Sequence, residues 1–110
     1  MGKIAEATVS GASGKEYDFD SYTLDTQFKD MGAVYIFTRR IVDADGNGIH
    51  TFLYIGETGD LADTIANHEK WACVTQRNVN CICVHTDDNE NSRKAKETDL
   101  LQAYETPCND

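Results

Sequence analysis

Four cysteines and two of the three histidines are the residues in this chain that could hold a soft metal ion or form disulfides: Cys73, Cys81, Cys83, Cys108, His68 and His85. Cys81 and Cys83 stand two apart in Asn80-Cys81-Ile82-Cys83-Val84, which reads as a strand with both thiols on one face. The spacing C-x7-C-x-C matches none of the usual zinc patterns. The N-terminus lacks the apolar stretch of a signal peptide, so reduced thiols acting as small buried hydrophobes are expected. Two acidic stretches could suggest calcium. Asp87-Asp88-Asn89-Glu90 lacks the spacing of an EF-hand loop, and Asp43-Ala44-Asp45-Gly46-Asn47-Gly48 has no acidic residue closing it at the right distance.

The elements that must position these groups follow from periodicity. Residues 5–10 alternate, Gly11-Ala12-Ser13-Gly14 signals a turn, and 15–22 alternate again with Tyr17, Phe19 and Ser21 on one face, which predicts a hairpin. Residues 23–31 read as a loop anchored by Leu24 and Phe28. Ala33-Val34-Tyr35-Ile36-Phe37-Thr38 is an apolar run suited to a buried strand. The Asp43–Gly48 turn returns it to a partner strand over 50–56, a second hairpin expected to be central to the sheet. Asp60 is placed to cap a helix running to about Glu69; 71–76 reads as a loop or short extra turn. A third apolar strand spans 78–86, and a helix spans about 91–105, its apolar stripe including Ala95, Leu101 and Tyr104 with Leu100 beside it and Pro107 ending it. The class is α+β: one domain over 1–110, with a hairpin extension and loop over 1–31 and a core over 32–110, whose small mixed or antiparallel sheet is flanked by helices.

Within that core, two strands carry the triplets Ala33-Val34-Tyr35 and Tyr54-Ile55-Gly56. A helix follows the second, and a later helix carries Arg93-x3-Glu97-x2-Leu100-Leu101-x2-Tyr104-x2-Pro107-x-Asn109. In this the chain resembles the GIY-YIG nuclease family over residues 32 to 109. Ala33 stands at the glycine of the first triplet, with Gly32 before it, and the 19 residues from Tyr35 to Tyr54 exceed the usual short hairpin. The resemblance implies a magnesium- or manganese-dependent phosphodiesterase. In it Tyr35 would serve as general base or positioner of water, Tyr54 would align the site, and His68 would match a histidine of some homing endonucleases. Glu97 would hold the metal, and Asn109 would support the site. The plainer alternatives are rim tyrosines in a sheet, a packing or capping histidine, a solvated helical glutamate and a frayed Asn109.

The family's arginine, ten residues past the second tyrosine, is Thr64 here, and the helix over 60–70 holds no arginine and a single lysine at its end. A threonine cannot offer the charged fork that an arginine makes to a phosphate. Loss of one preorganised donor costs roughly 10²–10³ in rate. Asp60, Asp63 and Glu69 add repulsion. Arg39, Arg40, Arg77 and Arg93 are the other cations that could enter, Arg93 being one turn before Glu97 and placed to pair with it.

Overall charge points the same way. Ten basic against nineteen acidic residues give −9 and a pI near 4.6, the opposite of a phosphate-gripping surface. No apolar run approaches the ~20 residues of a membrane span. The expectation is a cytoplasmic nuclease-fold domain, catalytically degenerate, with no certain cofactor, acting as a binding module for a basic protein and not for nucleic acid or membrane. The alternative is an active divalent-metal-dependent endonuclease acting on DNA or RNA.

Overall fold

The computed structural model describes residues 3–109. Its sheet has five strands in the order β1-β2-β5-β3-β4: β1 (Lys3–Ser10), β2 (Glu16–Tyr22), β3 (Ala33–Val42), β4 (Gly48–Thr58) and β5 (Cys81–Thr86). Every neighbouring pair is antiparallel, so the fold is α+β. Two short helices, α1 (Leu61–Ala66) and α2 (Trp71–Gln76), connect β4 to β5 across β3, and α3 (Glu90–Ala103) follows. The crossover inserts β5 between the two hairpins. The β3–β4 hairpin is therefore not central: β5 is the middle strand and β4 is an edge.

The run Ala33 to Phe37 is apolar at every position because β3 is buried on both faces. Ala33, Tyr35 and Phe37 face α1, α2 and the C-terminal tail, joining Leu61, Ile65, Val74 and Cys108. Val34 and Ile36 face α3, joining Val9, Phe19, Cys81, Cys83 and Leu100. A register shift between Phe37 and Thr38 carries the strand on toward the exposed hairpin tip, where Ile41, Val42 and Ile49 meet solvent.

The N-terminal hairpin is one with the sheet, through Asp20↔Val84, Ser21↔Cys83 and Tyr22↔Ile82. Asp99 of α3 pins its turn, accepting from Ser13 N at 2.8 Å, Ser13 Oγ at 2.7 Å and Tyr17 Oη at 2.7 Å. Phe28 packs on Tyr22, whereas Leu24 is exposed.

Several sequence expectations need correction. The first helix ends at Ala66 rather than Glu69, although Asp60 caps it as expected by accepting from Asp63 N. Residues 71–76 form a true helix. On α3 the buried side carries Arg93 and Leu100, while Ala95 and Leu101 are exposed; a face containing an arginine does not advertise itself as apolar. The helix stops at Tyr104, before Pro107.

The thiols depart furthest from expectation. Cys73 on α2 and Cys108 in the tail form a disulfide with Cα atoms 5.8 Å apart, leaving Cys81 and Cys83 free and buried. The expected all-reduced state ignored that the tail folds back onto α2. Closing a 35-residue separation is worth about 3–4 kcal/mol by chain entropy. Among the described residues no helix is long and apolar enough to cross a membrane.

Candidate functional site

Antiparallel register sets Tyr35 directly opposite Gly56, two residues along from Phe37↔Tyr54 and so on the same sheet face. The tyrosine rings lie with centroids 6.1 Å apart. A Cβ at Gly56 would stand 2.6 Å from Tyr35 Oη and 2.8 Å from a Tyr54 ring carbon. Glycine is thus a steric requirement of the two-tyrosine arrangement. Gly32 has a parallel role at the first triplet, where a Cβ would meet Arg93 Nη1 at 2.5 Å and the Asp87 carbonyl oxygen at 2.6 Å.

After α1 ends, the chain turns and lays His68 edge-on against Tyr54 and Phe37, each ring centroid 4.9 Å away. Its Nε2 is 2.7 Å from Tyr35 Oη, and its Nδ1 accepts the Lys70 amide proton at 3.0 Å. The neutral ring must then carry its proton on Nε2 and donate it to Tyr35. The Tyr35 hydroxyl is the acceptor of that bond, which leaves its own proton to point elsewhere. Burial lowers the His68 pKa below the ordinary histidine value, which favours this neutral state. Burial also pushes the Tyr35 hydroxyl far above the ordinary tyrosine range, and Tyr54 and the Glu97 and Glu57 carboxylates push it the same way. Tyr54 is raised as well, chiefly by burial. Neither tyrosine is ionised at neutral pH, and His68 presents a donor, not a base, to Tyr35.

These three residues line a pocket of about 310 Å³ together with Asp63, Thr64, Asn67 and Glu69. Thr64, at the position of the expected arginine, has its hydroxyl 2.7 Å from that of Thr58. Among the described residues no lysine or arginine lines this pocket. Arg93 does not pair with Glu97 as its spacing suggested. It is buried, its Nε donating to Glu57 Oε1 at 2.9 Å and its Nη1 to the Asp87 carbonyl at 3.1 Å.

Glu97 on α3 stands near Glu57 of β4, whose charge it feels. Asn109 has another duty: it satisfies the outer edge of β4. The Asn109 side chain accepts from Ile55 N at 2.9 Å and donates to Ile55 O at 2.8 Å, and Cys108 N donates to Leu53 O at 3.0 Å. Asn109 is ordered by these bonds, not frayed, and it lies outside the tyrosine pocket. Glu97 also lies outside the lining, but its charge is felt by both tyrosine hydroxyls. Burial first, and then the charge of Glu57, raises its own pKa above the ordinary glutamate value.

The carboxylate donor chemistry suits a hard divalent cation: Glu97 supplies an oxygen and Glu57, though engaged by Arg93, lies beside it. A metal there would supply charge neutralisation for a bound phosphate. Glu57 was not singled out from the sequence, nor were His50 and Thr38, which gather beside Cys81 and Cys83. The zinc grouping of Cys73, Cys108, His68 and His85 with those two thiols does not form: the first two are bridged, His68 serves Tyr35, and His85 Nδ1 donates to Asp18 O at 2.8 Å while Nε2 is 2.8 Å from Lys96 Nζ. Comparison with protein-family models, curated proteins and solved structures finds no match.

Proposed function

We propose that this chain is a GIY-YIG-like domain that does not hydrolyse phosphodiesters and acts by binding a basic protein. The observation that carries the reading is the composition of the tyrosine pocket. Where a scissile phosphate would need a fixed cation, Thr64 holds Thr58, with Asp63 and Glu69 on the same wall. A phosphodiester is already anionic, and hydrolysis concentrates further charge on its oxygens, so a cationless acidic pocket opposes both binding and reaction. The likeness of the site to the nuclease family rests on Tyr35, Tyr54 and His68 converging across Gly56 with Glu97 behind them. The net charge of −9 would steer a cationic protein toward the domain, with a strong salt dependence of association.

The test is a nuclease assay with magnesium or manganese on plasmid, single-stranded DNA and RNA. The wild-type chain is expected to leave all three intact. Cleavage that disappears in Glu97→Ala would overturn the reading in favour of an active endonuclease. Thr64→Arg is the sharper variant: with the rest of the site in place, activity should appear in it and not in the parent.

A further inference from the structure

On the face of the sheet opposite the tyrosines, five polar or thiol side chains from four adjacent strands meet. Cys81 and Cys83 come from β5, Thr38 from β3, His50 from β4 and Ser21 from β2. Antiparallel register places Thr38 opposite Cys81 and Ser21 opposite Cys83, and both cysteines point to one face because they are two apart on a strand. Cys81, Cys83, Ser21 and Thr38 are fully buried, while His50 is half-buried on the edge strand. His50 Nδ1 and the two sulfurs all lie within 4.8 Å of one another, with Cys83 Sγ 3.9 Å from Nδ1.

We propose that His50 Nδ1, Cys81 Sγ and Cys83 Sγ form a binding site for one zinc ion. In a tetrahedral zinc site with the usual bond lengths of about 2.3 Å to sulfur and about 2.0–2.1 Å to nitrogen, ligand atoms stand roughly 3.5–3.8 Å apart. The three atoms need to contract by at most about 1.3 Å to reach that. Charge selects the ion. Zn²⁺ enters as each thiol releases its proton to solvent, so two positive charges replace two protons, and the Zn(Cys)₂(His) unit is neutral. A monovalent copper ion on the same dithiolate would leave a net negative charge in the core, which is costly. Nitrogen and thiolate ligands likewise disfavour magnesium and calcium.

The surroundings fit the role better than they fit two inert core cysteines. The Thr38 hydroxyl, 2.8 Å from His50 Nδ1, is the nearest candidate for the fourth position, which water could also fill. The Ser21 hydroxyl, 3.4 Å from Cys83 Sγ, is placed to donate to a thiolate once the metal has formed it. The half-buried His50 supplies the access path from the β4 edge. An ion there would staple β3, β4 and β5 together. Nothing in this site depends on the tyrosine pocket, so it stands whether or not the chain cleaves nucleic acid.

The test is titration of the full chain, Cys73–Cys108 disulfide intact, with Co²⁺ as a spectroscopic probe and then with Zn²⁺. Two alkylatable thiols, one equivalent of cobalt, sulfur-to-cobalt charge-transfer absorption and its displacement by one equivalent of zinc are expected. Cys81→Ala/Cys83→Ala should abolish the absorption, and His50→Gln should weaken binding by about tenfold or more. Should the double variant lose its circular-dichroism spectrum, His50→Gln decides alone. No charge-transfer band, a Cys81–Cys83 disulfide in the native chain, or undiminished binding in either variant would overturn the proposal.

Discussion

Gly56 lies directly beneath the Tyr35 hydroxyl, so closely that a Cβ would fall 2.6 Å from Oη. The pair faces across the β3–β4 ladder, and the Tyr54 ring closes the other side of the same gap at 2.8 Å. Both rings are held, Tyr35 by His68 and Tyr54 by the edge of that imidazole. An added methyl therefore has no flexible neighbour to displace. Gly56→Ala is expected to destabilise the fold by about 1–3 kcal/mol, the usual cost of overpacking. Chemical denaturation measures it. In a Tyr35→Phe background the nearest clashing atom is gone, so the same substitution should cost less. Equal costs in both backgrounds would show that the ring does not set the requirement.

Arg93 and Glu57 are the second tightly bound pair, with side chains only 8% and 17% exposed and Nε 2.9 Å from Oε1. Arg93→Met should destabilise by about 3–5 kcal/mol, because it strands a buried carboxylate beside a second one, Glu97. Arg93→Met combined with Glu57→Gln should recover much of that loss, since no charge is then left unpaired. A double variant no better than the single one would mean that Arg93 matters for its contacts with Asp87 O and its place beside Gly32 rather than for its charge.

Much of this frame could be read from residue types alone. The two hairpins, the crossover and the long final helix follow from period-two runs, Gly- and Asp-rich turns and the cap at Asp60. What failed were features set by packing between distant segments. Helix α2 is six residues with no side-chain cap, so nothing local announces it. The apolar logic of α3 put Leu101 inside. In fact Leu100 is buried on the helix face shared with Arg93, whose charge is masked by Glu57. The Cys73–Cys108 bridge depends on a tail that docks on β4, and spacing does not encode it. Within the site, the triplets located Tyr35, Tyr54 and Gly56, but the duty of Asn109 along the edge of β4 is visible only once that edge exists. His50 carried no signal at all, because its relation to Cys81 and Cys83 passes through strand order.

The protonation state of His68 has a consequence for stability. Its Nδ1 is occupied by the Lys70 amide and its Nε2 proton by Tyr35, while Tyr54, Glu69 and Lys70 complete the ionisable surroundings. Burial is the largest influence and lowers its pKa; the Glu69 charge opposes and the Lys70 charge assists. An unfolded chain takes up this proton near pH 6.5, the folded one only at lower pH. Between those two values the unfolded state holds more protons, so stability falls as the pH is lowered through the window. Protonation would also place a hydrogen on Nδ1 and break its bond to the Lys70 amide. The midpoint temperature of the wild-type chain is therefore expected to decline from about pH 6.5 downward. In His68→Gln, which keeps a side-chain donor near Tyr35 but cannot titrate, that portion of the decline should be missing, leaving only the carboxylate losses at lower pH. Thermal melts of the two proteins across this range check it directly. Parallel curves would place the imidazole in ordinary contact with water and remove the basis for treating it as the neutral donor that fixes Tyr35.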